Sequence, residues 1–227
     1  PSYVGGFVLV AAFGPRGMLQ HILSGPLGIE RLPEIYGFPG AILALTLFTY
    51  PYILLNVRAA LWGLDPALEE ASRSLGHSPR ATFFRVTLHH LQPAVAAGAL
   101  LVALYTLSDF GAVSLLRYET FTAAVFVQYE SAFDRAVAAS LALALAGLAV
   151  VLLAAEDYSR GRQAYHRSTA GAVRPGRVVE LGNWRWPAFT LVMLPVSAGL
   201  LIPLSVICYW LAQGLARGTE FAPVLGP

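Results

Sequence analysis

Residues 136–155 read AVAASLALALAGLAVVLLAA, an apolar run without a charged side chain. A helix needs about 20 mostly apolar residues to cross the hydrocarbon core of a bilayer, and this run has that length. Comparable runs lie at residues 38–57, 94–116 and 188–212, and a shorter one lies near residues 1–13. The sequence therefore predicts an all-α, polytopic membrane bundle with about five transmembrane helices.

The composition supports this interpretation and argues against several kinds of site. Charged residues make up 12% of the chain, whereas soluble domains carry about 25%. The sequence has no lysine, so a Walker-type phosphate loop is absent from it. The net charge of +2 and the lack of an arginine-rich face argue against nucleic-acid binding. We expect no catalytic residue, no cofactor and no metal site, since Cys208 is the single cysteine and the adjacent His89 and His90 do not form a chelate.

Arginines are distributed unevenly among the segments that connect the predicted spans. The segments at 58–93 and 156–187 are rich in arginine, and the other connections carry fewer. The positive-inside rule places arginine-rich loops in the cytoplasm. We therefore expect a cytoplasmic loop at 58–93 and a cytoplasmic, arginine-rich linker at 166–187.

Within the first of these loops, residues 65–80 read DPALEEASRSLGHSPR. Asp65 is a favourable N-cap, Pro66 suits the first helical position, and Gly76 suits the residue just past a helix end. Ser78-Pro79 repeats the start signal for a second helix. The pattern predicts a short, doubly capped helix outside the membrane.

The faces of this short helix differ in character. Leu68, Ala71 and Leu75 fall on one side, while Glu69 and Arg73 are spaced to form an i, i+4 ion pair on another. Such a helix is either a docking element for a protein partner or a helix that lies flat at the lipid interface.

The same segment resembles the EAA loop of binding-protein-dependent ABC transporter permeases. That loop reads Glu-Ala-Ala, three residues, Gly, nine residues, then Ile, any residue, Leu-Pro. Here the sequence has Glu70-Ala71-Ser72, three residues, Gly76, nine residues, then Val86-Thr87-Leu88-His89. Ser72 replaces the second alanine, and His89 stands where the pattern has proline.

The resemblance implies a MetI-like permease fold in a bacterial inner membrane. It also implies that the loop fits a groove on cytoplasmic ATPase subunits, which act as a dimer, and that a periplasmic binding protein delivers the substrate. ATP hydrolysis would then take place on a separate subunit. The residues that the resemblance assigns to ATPase coupling are Leu68, Glu70, Ala71, Ser72, Arg73, Leu75 and Gly76.

Further motifs resemble the ferric-iron subfamily, whose members are fused chains with two similar halves. These motifs are Tyr36-Gly37, Tyr50-Pro51-Tyr52, Leu107-Ser108-Asp109-Phe110-Gly111, Thr120-Phe121-Thr122 and Ser159-Arg160-Gly161-Arg162. The resemblance implies that the sequence is an internal piece of a longer chain. Residues 1–165 would be most of the first half, and residues 188–227 the start of the second.

Ferric iron is therefore the favoured substrate, with thiamine, phosphonate or a polyamine as alternatives. A channel or secondary carrier that needs no ATPase is the alternative of a different class.

Four polar side chains in the predicted spans are candidates for a transport pathway. Asp109 is the only acid inside a predicted span, where a charge is costly and commonly functional. The alternative is a carboxylate that caps a helix or pairs near the interface, with Arg117 as one partner. Tyr50, Tyr52 and Asn56 are further candidates, although membrane tyrosines also anchor helices at the interface.

Overall fold

The computed structural model describes residues 2–15, 17–20, 34–130, 134–161 and 181–216, and the ordered elements in these ranges are helical. The predicted all-α class is thus confirmed for the described residues. Most of the predicted linker at 166–187 and the end of the segment 188–227 lie outside them. The helices, in chain order, are α1 Ser2–Phe13, α2 Phe38–Trp62, α3 Pro66–Ser74, α4 Pro79–Ser108, α5 Gly111–Leu115, α6 Phe121–Glu130, α7 Arg135–Gly161 and α8 Arg185–Ala216.

Four of these helices, α2, α4, α7 and α8, are long and apolar enough to cross a membrane. They contain three of the four long runs seen in the sequence and most of the fourth, at 94–116, and α1 corresponds to the shorter run. Large apolar side chains on these helices are exposed, among them Leu143 at 74% and Leu191 at 76%. Exposed apolar surface on this scale is unfavourable in water and suits helices that face lipid or other membrane helices.

The structure corrects the boundaries of the span predicted at 94–116. The helix begins at Pro79 and ends at Ser108, and α5 starts separately after Asp109 and Phe110. The cause of the break is the Asp109 carboxylate, whose Oδ2 accepts hydrogen bonds from the backbone N–H groups of Ala112 (3.1 Å) and Val113 (3.4 Å). Hydropathy does not register this break because apolar residues flank it on both sides.

Contacts divide the chain into two units, the first with residues 1–48, 109–123 and 183–227. In its described part, α1 packs against α5 and α8. Two small clusters of buried side chains form its core: Val8, Ala12 and Val206 in one, and Leu9, Ala44 and Leu116 in the other. Small residues let these helices approach closely, as membrane helices commonly do.

The second unit comprises residues 49–108 and 124–182. Here α4 packs against α7, and α3 lies against the beginning of α4. Gly98 of α4 is buried beside Ile53 of α2, and this contact sets how closely the two helices approach.

Replacing Gly98 by alanine is expected to destabilise the second unit by about 1–3 kcal/mol, the usual cost of overpacking. An added Cβ would lie 2.8 Å from the Ile53 Cα atom, and a backbone atom cannot turn aside as a side-chain tip can. Thermal unfolding of the detergent-solubilised protein measures the loss. Gly147→Ala is the control, because a Cβ there meets no atom within 4 Å and alanine only improves helix propensity. Equal stability of the two variants would contradict the close approach.

Candidate docking site

The α3 helix begins and ends as its capping residues predict. Asp65 is extended, and its Oδ1 accepts a hydrogen bond from the Ala67 N–H at 2.9 Å, with Pro66 in the first turn. At the other end, the N–H of Gly76 donates to the Arg73 carbonyl (3.0 Å) and that of His77 to the Ser72 carbonyl (3.3 Å). Gly76 has a φ of +87°, which completes a Schellman ending.

One side of α3 is exposed within its unit. Leu68 is 41% exposed and Leu75 79%, and Ala71 is also exposed, so the predicted apolar face has no covering element among the described residues. Glu70 and Arg73 are exposed beside it. A capped helix with an open face of mixed apolar and charged character suits contact with another protein.

Ser72 is placed differently from the other predicted coupling residues. It is 7% exposed, and its hydroxyl lies 3.1 Å from the Thr82 Oγ1 and 3.3 Å from the His77 Nδ1. These bonds hold its side chain against the start of α4, and its assignment to ATPase coupling stays a prediction.

Glu69 also differs from its predicted role as a partner of Arg73. Its Oε1 accepts a hydrogen bond of 2.6 Å from the Thr87 hydroxyl in α4. No ion pair between Glu69 and Arg73 forms in the part of the chain that the structure describes. The i, i+4 spacing was correct for a helix, but Glu69 lies on the side that faces α4.

Sequence reasoning missed the residues of α4 and the preceding turn that hold α3. Thr82 and Thr87 are 2% and 4% exposed and bond to Ser72 and Glu69, and Arg85 lies 3.2 Å from the His77 Nε2. The one sequence feature that could have indicated this polar contact was Ser72, which stands where the motif has alanine. The threonines gave no periodic signal because they are five residues apart, a spacing that an α-helix does not place on one face.

Among the pathway candidates, Asp109 is 8% exposed, and its carboxylate accepts hydrogen bonds from the Ser2 hydroxyl and from the backbone of α5. The Arg117 guanidinium lies over the Tyr36 ring at 4.9 Å from its centroid, so it stacks there rather than pairing with Asp109. These are the surroundings of a carboxylate that caps a helix, which was the alternative to a pathway role.

The remaining pathway candidates lie together on α2. The Asn56 Nδ2 donates to the Tyr52 carbonyl at 2.7 Å, one turn earlier on the same helix. The Tyr52 ring packs against Tyr105 of α4 with 5.9 Å between centroids, and Tyr50 is half-buried. The packing of Tyr52 on a neighbouring helix holds its ring in place, and the Asn56 amide is engaged by the backbone.

No group of three or more histidine, cysteine or acidic residues able to hold a metal ion occurs in the described ranges. His89 and His90 lie with their ring centroids 6.3 Å apart, edge to face.

Long apolar helices, with a short, exposed helix capped at both ends between two of them, define a class: a multi-pass membrane protein. Comparison with known families identifies the class more closely. Residues 1–163 match the model for "Binding-protein-dependent transport system inner membrane component", and the chain belongs to that family. It is thus a multi-pass component of the inner membrane with a MetI-like fold.

Individual relatives are permease proteins with different named substrates. The chain is 38% identical over 196 residues to the Fe(3+)-transport system permease protein FbpB 2 of Haemophilus influenzae, a match that covers 85% of the chain and 38% of the relative. It is 30% identical over 164 residues to the molybdenum transport system permease protein ModB of Escherichia coli, 70% of each chain. It is also 30% identical over 170 residues to the sulfate transport system permease protein CysW of Synechocystis, 73% of this chain and 60% of the relative.

Proposed function

We propose that this chain is part of the transmembrane permease of an ATP-driven importer and that α3 couples it to separate ATPase subunits in the cytoplasm. The observation that carries the proposal is the open face of α3, with Glu70, Leu68 and Leu75 exposed on a helix fixed at both ends. A helix that only packed within the chain would bury this face. Membership of the permease family supports the same role.

The proposed transport cycle depends on contacts between α3 and the ATPase subunits that differ between the two states of the ATPase dimer. ATP closes the ATPase dimer, and ligand binding biases a conformational equilibrium only when contacts differ between the two states. Because α3 is part of the permease, a change in its contact with the ATPase subunits is transmitted to the transmembrane helices. The permease then alternates between outward- and inward-open forms, with substrate delivered by a periplasmic binding protein. In this proposal residues 1–165 are most of one permease half and residues 188–227 begin another.

Ferric iron is the proposed substrate. The support is the identity of 38% with an Fe(3+) permease, against 30% with molybdenum and sulfate permeases. The second candidate is an oxyanion such as molybdate or sulfate, since those relatives match most of this chain as well. We assign the selectivity mainly to the binding protein, because the described residues hold no cluster of acidic ligands.

Uptake into proteoliposomes tests the function. The full-length protein is reconstituted with the ATPase subunit and the binding protein encoded beside it, and the binding protein is loaded in turn with ferric iron, molybdate or sulfate. We expect uptake of one of these only with ATP and with the binding protein. An ATPase subunit that lacks its phosphate-loop lysine serves as the control. Uptake that proceeds without ATP would contradict the proposal and favour a channel or secondary carrier.

A further inference from the structure

Two hydrogen bonds join α3 to the beginning of α4. The Thr87 hydroxyl donates to the Glu69 carboxylate at 2.6 Å, and the Ser72 and Thr82 hydroxyls lie 3.1 Å apart. Both threonines are almost fully buried, with 4% and 2% of their surface exposed. We call these two bonds the polar clasp. Glu69 comes before Ser72 on α3, whereas its partner Thr87 comes after Thr82 on α4. The polar clasp therefore spans about one turn of each helix.

A local departure from α-helical geometry brings the two threonines to the same side of α4. Residues Phe83–Thr87 form a π turn, in which the Leu88 N–H donates to the Phe83 carbonyl five residues earlier. In an uninterrupted α-helix, residues five apart point about 140° away from each other. A π turn closes over five residues and places them on nearly the same side. The π turn is therefore what allows Thr82 and Thr87 to reach α3 together.

The turn between the helices adds a third connection with a defined direction. The Arg85 Nη1 lies 3.2 Å from the His77 Nε2, and an arginine can only donate, so Nε2 accepts. The proton of this neutral imidazole is then on Nδ1, which donates to the Ser72 hydroxyl at 3.3 Å. The Ser72 hydroxyl also forms a hydrogen bond with the Thr82 hydroxyl, in which either group can donate. The connecting turn and both helices are thus joined through side chains as well as through the backbone.

We propose that the polar clasp makes α3 and the start of α4 move as one body, so that a displacement of α3 reaches the membrane span of α4. This inference rests on the proposed function. Without the clasp, the backbone link between the helices is a short turn that includes Gly76, whose conformation is left-handed. Such a turn can act as a hinge, and α3 would then follow an ATPase subunit while α4 stayed behind. Glu69, Ser72, Thr82 and Thr87 are positioning residues in this account.

The matched test compares Thr87→Val with Thr106→Val. Both changes remove a hydroxyl from α4 at nearly constant volume, but Thr106 donates only to the Ala103 carbonyl of its own helix. Thr87→Ser restores a hydroxyl and serves as the rescue. Glu69→Gln weakens the same bond from the α3 side and replaces Thr87→Val if that variant fails to accumulate.

Two readouts are made on the full-length protein. The first is the mobility of a spin label at Ala67→Cys, an exposed site on α3, with Cys208 and any cysteine elsewhere in the full-length protein replaced by alanine so that the label has one target. The second is the amount of substrate imported per ATP hydrolysed by the reconstituted complex. Loss of a hydrogen bond to a charged group shifts the balance between clasped and released α3 by about tenfold or more. We expect higher label mobility and less import per ATP in Thr87→Val, with ATPase binding retained because the exposed face of α3 is unchanged.

Each outcome decides a separate point. Label mobility in Thr87→Val equal to that in Thr106→Val would overturn the clasp itself. Raised mobility with unchanged import per ATP would overturn its transmission role. A wild-type protein that binds no ATPase subunit would overturn the proposed function and the transmission role with it, while the mobility comparison still reports whether the clasp holds α3.

Discussion

Replacing Glu70 by arginine is expected to abolish both ATPase binding and ATP-driven uptake while the fold stays intact. Glu70 is exposed on α3 beside the open apolar face, so the change disturbs no packing within the chain. At a docked interface, a reversed charge meets the groups that the carboxylate had contacted. Disrupting a buried charge contact typically costs about 2–5 kcal/mol, which lowers affinity roughly thirtyfold to several thousandfold. Co-purification of the ATPase subunit and the initial rate of uptake measure the effect.

The control for this experiment is Glu119→Arg. Glu119 is also exposed, and the substitution makes the same change in net charge at a residue that is not part of α3. Thermal unfolding of both variants should match that of the wild type. If the Glu70→Arg protein still retained the ATPase subunit and imported substrate at the wild-type rate, the docking role of α3 would be wrong. The interpretation of α3 as a helix lying flat at the lipid interface would then replace it.

Features that depend on neighbouring residues in the chain were predictable from the sequence. Most of each long apolar run lies in α2, α4, α7 or α8, because a stretch of about 20 mostly apolar residues is the local requirement for a helix that crosses a bilayer. The bounds of α3 were also predictable, since Asp65 and Gly76 act on backbone groups within a few residues of themselves. The exposed face of α3 followed from helical periodicity once those bounds were known.

Features that depend on distant residues or on irregular geometry were not predictable in this way. Glu69 has correct spacing for an ion pair with Arg73, yet it bonds to Thr87, which is 18 residues away. That contact exists only because α3 folds back against α4 and a π turn rotates Thr87 toward it. Periodicity assumes a regular helix, so it assigns Thr82 and Thr87 to different sides. The break at Asp109 was missed for a different reason, since its carboxylate bonds to the nearby backbone of α5 and the apolar residues on both sides hide this cap from hydropathy.

Replacing Asp109 by alanine is expected to destabilise the first unit strongly. The carboxylate is 8% exposed and accepts hydrogen bonds from the Ser2 hydroxyl and from the N–H groups of Ala112 and Val113. Alanine would remove this acceptor from the N–H groups of Ala112 and Val113 and one bond from the Ser2 hydroxyl, and a buried polar group left unsatisfied costs about 1–3 kcal/mol. Asp109→Asn keeps an oxygen acceptor and should lose clearly less stability than Asp109→Ala. We expect stability to fall in the order wild type, Asp109→Asn, Asp109→Ala. The yield and the thermal unfolding of the detergent-solubilised proteins measure it.

Asp134→Ala is the matched control, because it separates capping in general from capping by a buried carboxylate. The Asp134 Oδ1 accepts from the N–H groups of Ala136 and Val137, both at 3.1 Å, but its side chain is exposed. Water replaces an exposed cap, so this variant should lose only about 1 kcal/mol. A pathway role for Asp109 predicts a different pattern, in which Asp109→Asn keeps its stability and loses uptake. The capping role requires the reverse: stability falls in proportion to the lost acceptors, and the uptake of each correctly folded Asp109→Asn molecule is retained.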